Sequence, residues 1–176
     1  MARRGRRTLA IHPGTREMGI AVLEGGRLIY HAVEVLRHAP ARRKVLAAGA
    51  ARFRRYVRDF RPAVVAIEVS PFATRQKSVL HALATLIATI AKREKVRTVQ
   101  FASSTVKSRI CRNGYADKAE VAKTIAARFP ELKAYLRQDR KWKDRFQSNR
   151  FDAIALALFA KETLRKSTAK KCGTAR

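Results

Sequence analysis

The chain has 176 residues, which suits one domain and leaves little room for a second. Its apolar share of 47% supports a buried core and excludes a disordered chain. Lys and Arg number 40 against 13 Asp and Glu, and the resulting formal charge of +27 repels itself in any compact state, so a polyanionic partner is the simplest reason to carry it.

Residues 2–7 (ARRGRR) form a basic arm. The β-rich run TLAIH follows and is broken by Pro13 and Gly14; Thr8–Ile11 is too short for the apolar region of a secretory signal. Residues 19–24 (GIAVLE) predict a second strand and residues 27–36 a third. Gly25 and Gly26 between them suit a tight turn because both can take positive φ, so the first three strands form an antiparallel meander. From Arg42 to Phe60 the period changes: Val45, Leu46, Phe53, Tyr56, Val57 and Phe60 recur at helical spacing until Pro62 stops the helix. Residues 63–68 (AVVAIE) are a continuous apolar run, expected of a strand buried on both faces and parallel to an earlier one.

A helix from Gln76 to Glu94 follows, then a fifth strand at 96–101. Ser103 or Ser104 can cap a short helix through Ile110, and Asp117 a longer one through Phe129, ended by Pro130. Residues 131–147 are polar and charged around Trp142, and a last helix spans Ser148 to Lys166. The expected division is a basic arm at 1–7, one α/β domain at 8–166 and a basic, disordered tail at 167–176. Cys111 and Cys172 form no CxxC pair and no zinc spacing, which suits a reduced, cytoplasmic protein with incidental thiols. No stretch reaches transmembrane length and no lipidation signal is visible, so no membrane partner is expected.

A right-handed β-α-β crossover places 63–68 beside the first strand and parallel to it, which brings His12 and Glu68 to one edge of the sheet, where open α/β sheets favour binding sites. A carboxylate ending an apolar strand, as Glu68 does, is costly unless it is paired or binds a cation; it can also be an ordinary surface acid. Asp152 begins an apolar helix and Asn149 lies three residues earlier on the same face. Taken singly, Asp152 can serve the helix dipole, Asn149 can cap the helix, and His12 can be structural or solvated. Together the four suggest a metal site suited to phosphate-ester hydrolysis.

Four segments resemble the RuvC family of Holliday-junction resolvases, of RNase H-like fold. IHPGTREMGIAV is similar to the family's first-strand motif, in which an acid precedes Pro-Gly and a Gly follows in the second strand. VVAIEVSPF resembles its Glu-containing fourth strand, SSTVKSRICRNGYADKAEVAK its Val-Lys stretch running through a Gly to a second Lys, and SNRFDAIALALF its final Asp-containing helix. The resemblance covers residues 7 to 165 and implies an α/β fold with a five-stranded mixed sheet, an antiparallel meander plus parallel strands, flanked by helices. It further implies a metal-dependent endonuclease acting as a homodimer on branched DNA. By position His12, Glu68, Asn149 and Asp152 match the four metal-site residues. Lys107 and Lys118 match basic residues that face the scissile phosphate or the DNA backbone, and Phe72 sits near the place of an aromatic that stacks on unpaired bases.

Two positions depart from the pattern. The family has Asp where His12 stands, and commonly Asp or His where Asn149 stands. Mg²⁺ prefers hard oxygen ligands, and a neutral imidazole is a poor substitute for a bridging carboxylate. Reduced Mg²⁺-dependent activity, or dependence on Mn²⁺, is therefore expected. Arg75 and Lys77 follow Phe72, Arg109 and Arg112 join Lys107 and Lys118, and Arg140, Lys141, Lys143 and Arg145 surround Trp142, so binding governed by phosphate contacts and weakened by salt is expected. The helix around Leu80–Ile90 is apolar on more than one side; one side can cover the sheet and another meet a second subunit, and a fully buried helix in a monomer explains the pattern nearly as well, so the homodimer rests mostly on the resemblance. Three readings of function stand at this stage: an active junction endonuclease, favoured by Glu68 and Asp152; a catalytically impaired protein that only binds junction DNA or structured RNA, favoured by His12 and Asn149; and a related enzyme acting on another nucleic acid.

Overall fold

The computed structural model describes residues 6–14, 16–36, 41–69, 78–136 and 141–172, with residues 141–147 and 166–172 described by backbone alone. Strands β1 (Arg7–His12), β2 (Glu17–Glu24) and β3 (Arg27–Val35) form the expected meander, and the β2–β3 turn has φ of 60° at Gly25 and 111° at Gly26, values open to glycine at no steric cost. Helix α1 (Arg42–Phe60) crosses to β4 (Val64–Val69), which pairs parallel to β1 with Thr8 opposite Val64 and Ile11 opposite Ile67. Helix α2 (Val79–Arg93) leads to β5 (Arg97–Ala102), parallel to β4. The sheet has five strands in the order β3-β2-β1-β4-β5.

Strand periodicity divides the core into two layers. Leu9, Ile11, Ile20, Val22, Val65 and Ile67 face α1 and α2, which cover them with Phe53, Tyr56, Leu83 and Ile87. Ala10, Ala21 and Ala66 face the other way, and their small side chains let α5 (Lys141–Cys172) lie close across the sheet with Ala153, Ala157 and Ala160 against it. Helices α3 (Ser103–Ile110) and α4 (Lys118–Arg128) cover α5 from outside, so it is buried on every side from Phe151 to Leu158. Glu34 of β3 ties α1 to the sheet: it accepts hydrogen bonds from the Tyr56 hydroxyl and from Arg52 Nε and Arg55 Nη2, both at 2.6 Å.

Several boundaries differ from the sequence reading. Strand β4 continues one residue past Glu68. Helix α2 starts at Val79, where the Ser78 hydroxyl accepts from the Leu80 amide at 3.2 Å, while Gln76 lies outside the described residues. Neither Ser103 nor Ser104 caps α3: β5 runs straight into the helix, and Ala102 takes the cap position without a side-chain bond. Residues Pro130–Tyr135 form a 3₁₀ helix at the start of the stretch read only as polar and charged. The largest difference is α5, which begins at Lys141 rather than Ser148 and continues to Cys172, six residues past the expected end of the domain. No Gly or Pro lies between Pro130 and Gly173, so nothing in the backbone halts the helix where its apolar period fades. Residues 173–176 and the first five of the basic arm lie outside the described residues.

Candidate active site

The register of β1 on β4 sets the site. Ile11 is opposite Ile67, so the next residues along, His12 and Glu68, emerge side by side on the α5 face. Helix α5 crosses that face and delivers Asp152. His12 Nδ1 lies 3.2 Å from Glu68 Oε2 and His12 Nε2 lies 3.8 Å from Asp152 Oδ2, with the three side chains 19%, 10% and 10% exposed. The imidazole thus sits between the two carboxylates. Nδ1 approaches Glu68 without hydrogen-bond alignment and remains a buried nitrogen with no hydrogen-bond partner, so charge is what holds the contact.

Burial pulls the imidazole pKa down, but Glu68 and then Asp152 outweigh it and raise it above the ordinary value, with Lys118 opposing. Burial also raises the Asp152 carboxyl pKa; His12 opposes that shift, Glu68 adds to it, and Lys118 and Lys107 oppose it. Both lysines therefore bear on the site. Lys118, the first residue of α4, donates from Nζ to Ser148 Oγ at 2.9 Å, and Lys107 donates to the Ala116 carbonyl at 2.8 Å, which closes the loop between α3 and α4 on itself.

Asn149 stands at the rim. Gly19 pairs with His12 on β1, and a Cβ there would collide with the Asn149 carbonyl oxygen, so the glycine is what lets α5 approach β2. Asn149 Nδ2 donates to Glu17 Oε2 at 3.3 Å.

Two carboxylates and an imidazole nitrogen without a hydrogen-bond partner make a donor set that fits a divalent cation. Among the described residues no three of His, Cys, Asp and Glu stand together at ligand spacing, and in this arrangement His12 lies between the two acids.

The site thus gathers His12, Glu68, Asn149, Asp152, Lys107 and Lys118. Arg109 is turned elsewhere: it pairs with Glu162 at 3.4 Å, roughly 15 Å beyond Asp152 along α5 at 1.5 Å per residue. Arg112 is exposed on the α3–α4 loop at φ 59°. Phe72, Arg75, Lys77 and Arg140 lie outside the described residues, as do the side chains of Lys141, Trp142, Lys143 and Arg145. Sequence reasoning missed Glu17 and Ser148, whose only signal was proximity to Gly19 and to Asn149. It also missed Arg150, buried with its guanidinium 3.9 Å over the Tyr135 ring.

An antiparallel meander extended by two parallel strands, with His12 and Glu68 at the carboxyl ends of neighbouring strands and Asp152 from a helix laid across them, defines an RNase H-like domain. The chain belongs to the RuvC family: the model for crossover junction endodeoxyribonuclease RuvC matches residues 8–159. Resolvases of that family depend on divalent metal. No curated protein matches the chain by sequence. Its fold is similar to that of Thermus thermophilus RuvC, at 22% identity and a TM-score of 0.69 over 92% of this chain and 97% of that one. The same holds for T. thermophilus RuvC in complex with Holliday junction substrate, at 21% identity and a TM-score of 0.70 over 93% and 97%. The yeast mitochondrial Holliday junction resolvase Ydc2 is similar at 12% identity and a TM-score of 0.61 over 86% and 76%. Among the described residues no helix is long and apolar enough to cross a membrane.

Proposed function

We propose that this chain is a structure-selective endonuclease that hydrolyses phosphodiesters of branched DNA, with Glu68 and Asp152 as its central acids. The observation that carries the reading is the convergence of those two buried carboxylates, from β4 and α5, beside Lys107 and Lys118. Glu68, Asp152, the His12 imidazole and the Asn149 amide oxygen are the groups that would hold a divalent ion, and Mn²⁺ suits them better than Mg²⁺. When bound, the ion supplies Lewis-acid stabilisation of the phosphoryl oxygens and a hydroxide nucleophile at neutral pH. Lys118 and Lys107, whose charges already bear on Asp152, hold the scissile phosphate at the site mouth.

Arg112, with Phe72, Arg75 and Lys77, extends the contact to the phosphates and unpaired bases of the junction; Arg109 contributes after leaving Glu162. A four-way junction has two equivalent strands to cut and each chain carries one site, so the working unit is a homodimer. The outer side of α2, with the half-buried Leu80, is the face available for it. Residues 8–166 carry the activity, with the arm at 1–7 and the tail at 167–176 adding basic charge, and the protein works in the cytoplasm. Competition binding tests the specificity: a labelled four-way junction stays bound in excess linear duplex of equal length, and equal competition by duplex and junction would overturn the reading.

A further inference from the structure

We infer that Glu17 is a positioning residue of this site: its carboxylate captures Nδ2 of Asn149 and so leaves the Asn149 amide oxygen as the arm presented to a cation. The inference rests on the metal-dependent reading above. An asparagine amide has one arm that accepts and one that donates, and only the oxygen can bind a cation. Rotation about its last torsion exchanges the two arms with little preference of its own, so an asparagine ligand needs an anchor for its nitrogen.

Glu17 is that anchor. A carboxylate accepts and cannot donate, so the 3.3 Å contact between Glu17 Oε2 and Asn149 fixes which arm of the amide faces β2. The backbone enforces the pairing. Gly19, two residues along the same strand and on the same face, lets the Asn149 carbonyl close on β2, and this draws Glu17 level with the start of the site. Glu17 lies within the IHPGTREMGIAV segment but is neither its acid-Pro-Gly position nor its later Gly, and it meets the position where that family commonly carries Asp or His. An acid at 149 would be repelled by Glu17, whereas an amide is fixed by it, so the two residues make sense as a pair.

The test is Mn²⁺ binding to the metal-free protein without DNA, read from the electron paramagnetic resonance of free Mn²⁺. Glu17→Ala is expected to weaken binding about 10–100-fold, the usual effect of losing the partner that orients a ligand. Glu17→Gln keeps an acceptor for Nδ2 and is expected to stay closer to the parent than Glu17→Ala does. In an Asn149→Asp background the sign reverses: removing Glu17 relieves repulsion and strengthens binding. The inference is overturned if Glu17→Gln weakens binding as much as Glu17→Ala, or if Glu17→Ala has the same effect in both backgrounds. Glu68→Gln separates the two failures. If it leaves Mn²⁺ affinity intact, the metal-site reading has failed; if it abolishes binding while the Glu17 variants do not differ from the parent, only the Glu17 inference has. Thermal melting of each variant establishes that it is folded.

Discussion

Replacing His12 by Asp reverses the charge at the centre of the site, and its consequences can be worked from the geometry. The imidazole lies 3.2 Å from one buried carboxylate and 3.8 Å from another. At an effective dielectric of about 20 each contact is worth roughly 4–5 kcal/mol before desolvation, and an acid at 12 changes its sign. Broken buried ion pairs cost about 3–5 kcal/mol net. For a chain of this size each kcal/mol moves Tm by roughly 2–4 °C, so His12→Asp is expected to melt roughly 6–20 °C below the parent in chelator. A divalent ion should then return more stability to the variant than to the parent; at about one hundred times its Kd the return is about 2.7 kcal/mol. The pH dependence agrees in sign. The His12 pKa is raised in the folded state, so its pairing contributes fully below the ordinary histidine pKa and fades as pH climbs through the raised one. The parent in chelator should therefore lose stability from about pH 6.5 upward, a slope that His12→Asp abolishes. Scanning calorimetry in chelator, Mg²⁺ and Mn²⁺ measures all of this. A variant that melts with the parent in chelator, or gains no more from Mg²⁺ than the parent does, would refute the reasoning.

Four further outcomes follow from particular contacts. Gly19→Ala places a methyl against the Asn149 carbonyl oxygen, and the required backbone shift should cost about 1–3 kcal/mol in urea unfolding and weaken metal binding. Tyr56→Phe removes a hydrogen bond to the Glu34 carboxylate and should cost about 1–3 kcal/mol at neutral pH. The Tyr56, Arg52 and Arg55 contacts override burial and lower the Glu34 pKa, so its stabilisation is present above the ordinary glutamate pKa and lost as pH falls through the lowered one; in an acid titration Glu34→Gln should lack that loss. Lys118→Ala should slow junction nicking under saturating DNA more than it weakens junction binding, and should lower the salt slope of binding by about 1, measured by anisotropy across salt.

The parts of the molecule legible in the sequence are those where one local signal decides. The β-rich runs TLAIH and GIAVLE, the Gly25–Gly26 turn and the apolar run at 63–68 each carry their own geometry, and the crossover rule then sets β4 beside β1. That juxtaposition makes His12 and Glu68 neighbours before any side chain is placed. The length of α5 was not legible, because Lys141 to Gln147 and Ser167 to Cys172 show no apolar period even though nothing in them breaks a helix. The orientation of Arg109 was equally hidden: it depends on Glu162, 53 residues away in sequence. Glu17 was missed for the same reason, since its meaning comes from a contact made across 132 residues. The position of His12 in the site was readable, but its bridging of the two acids needed the register of three elements at once.

Cleavage of an end-labelled four-way DNA junction, with Mg²⁺, with Mn²⁺ and with chelator, addresses the central claim most directly, using Glu68→Gln as the inactive comparison. The account predicts paired, symmetrical nicks that require a divalent ion, are faster with Mn²⁺ than with Mg²⁺, and vanish in Glu68→Gln. Tight junction binding with no nicks under either metal would contradict it and make the chain a junction-binding protein on a nuclease fold.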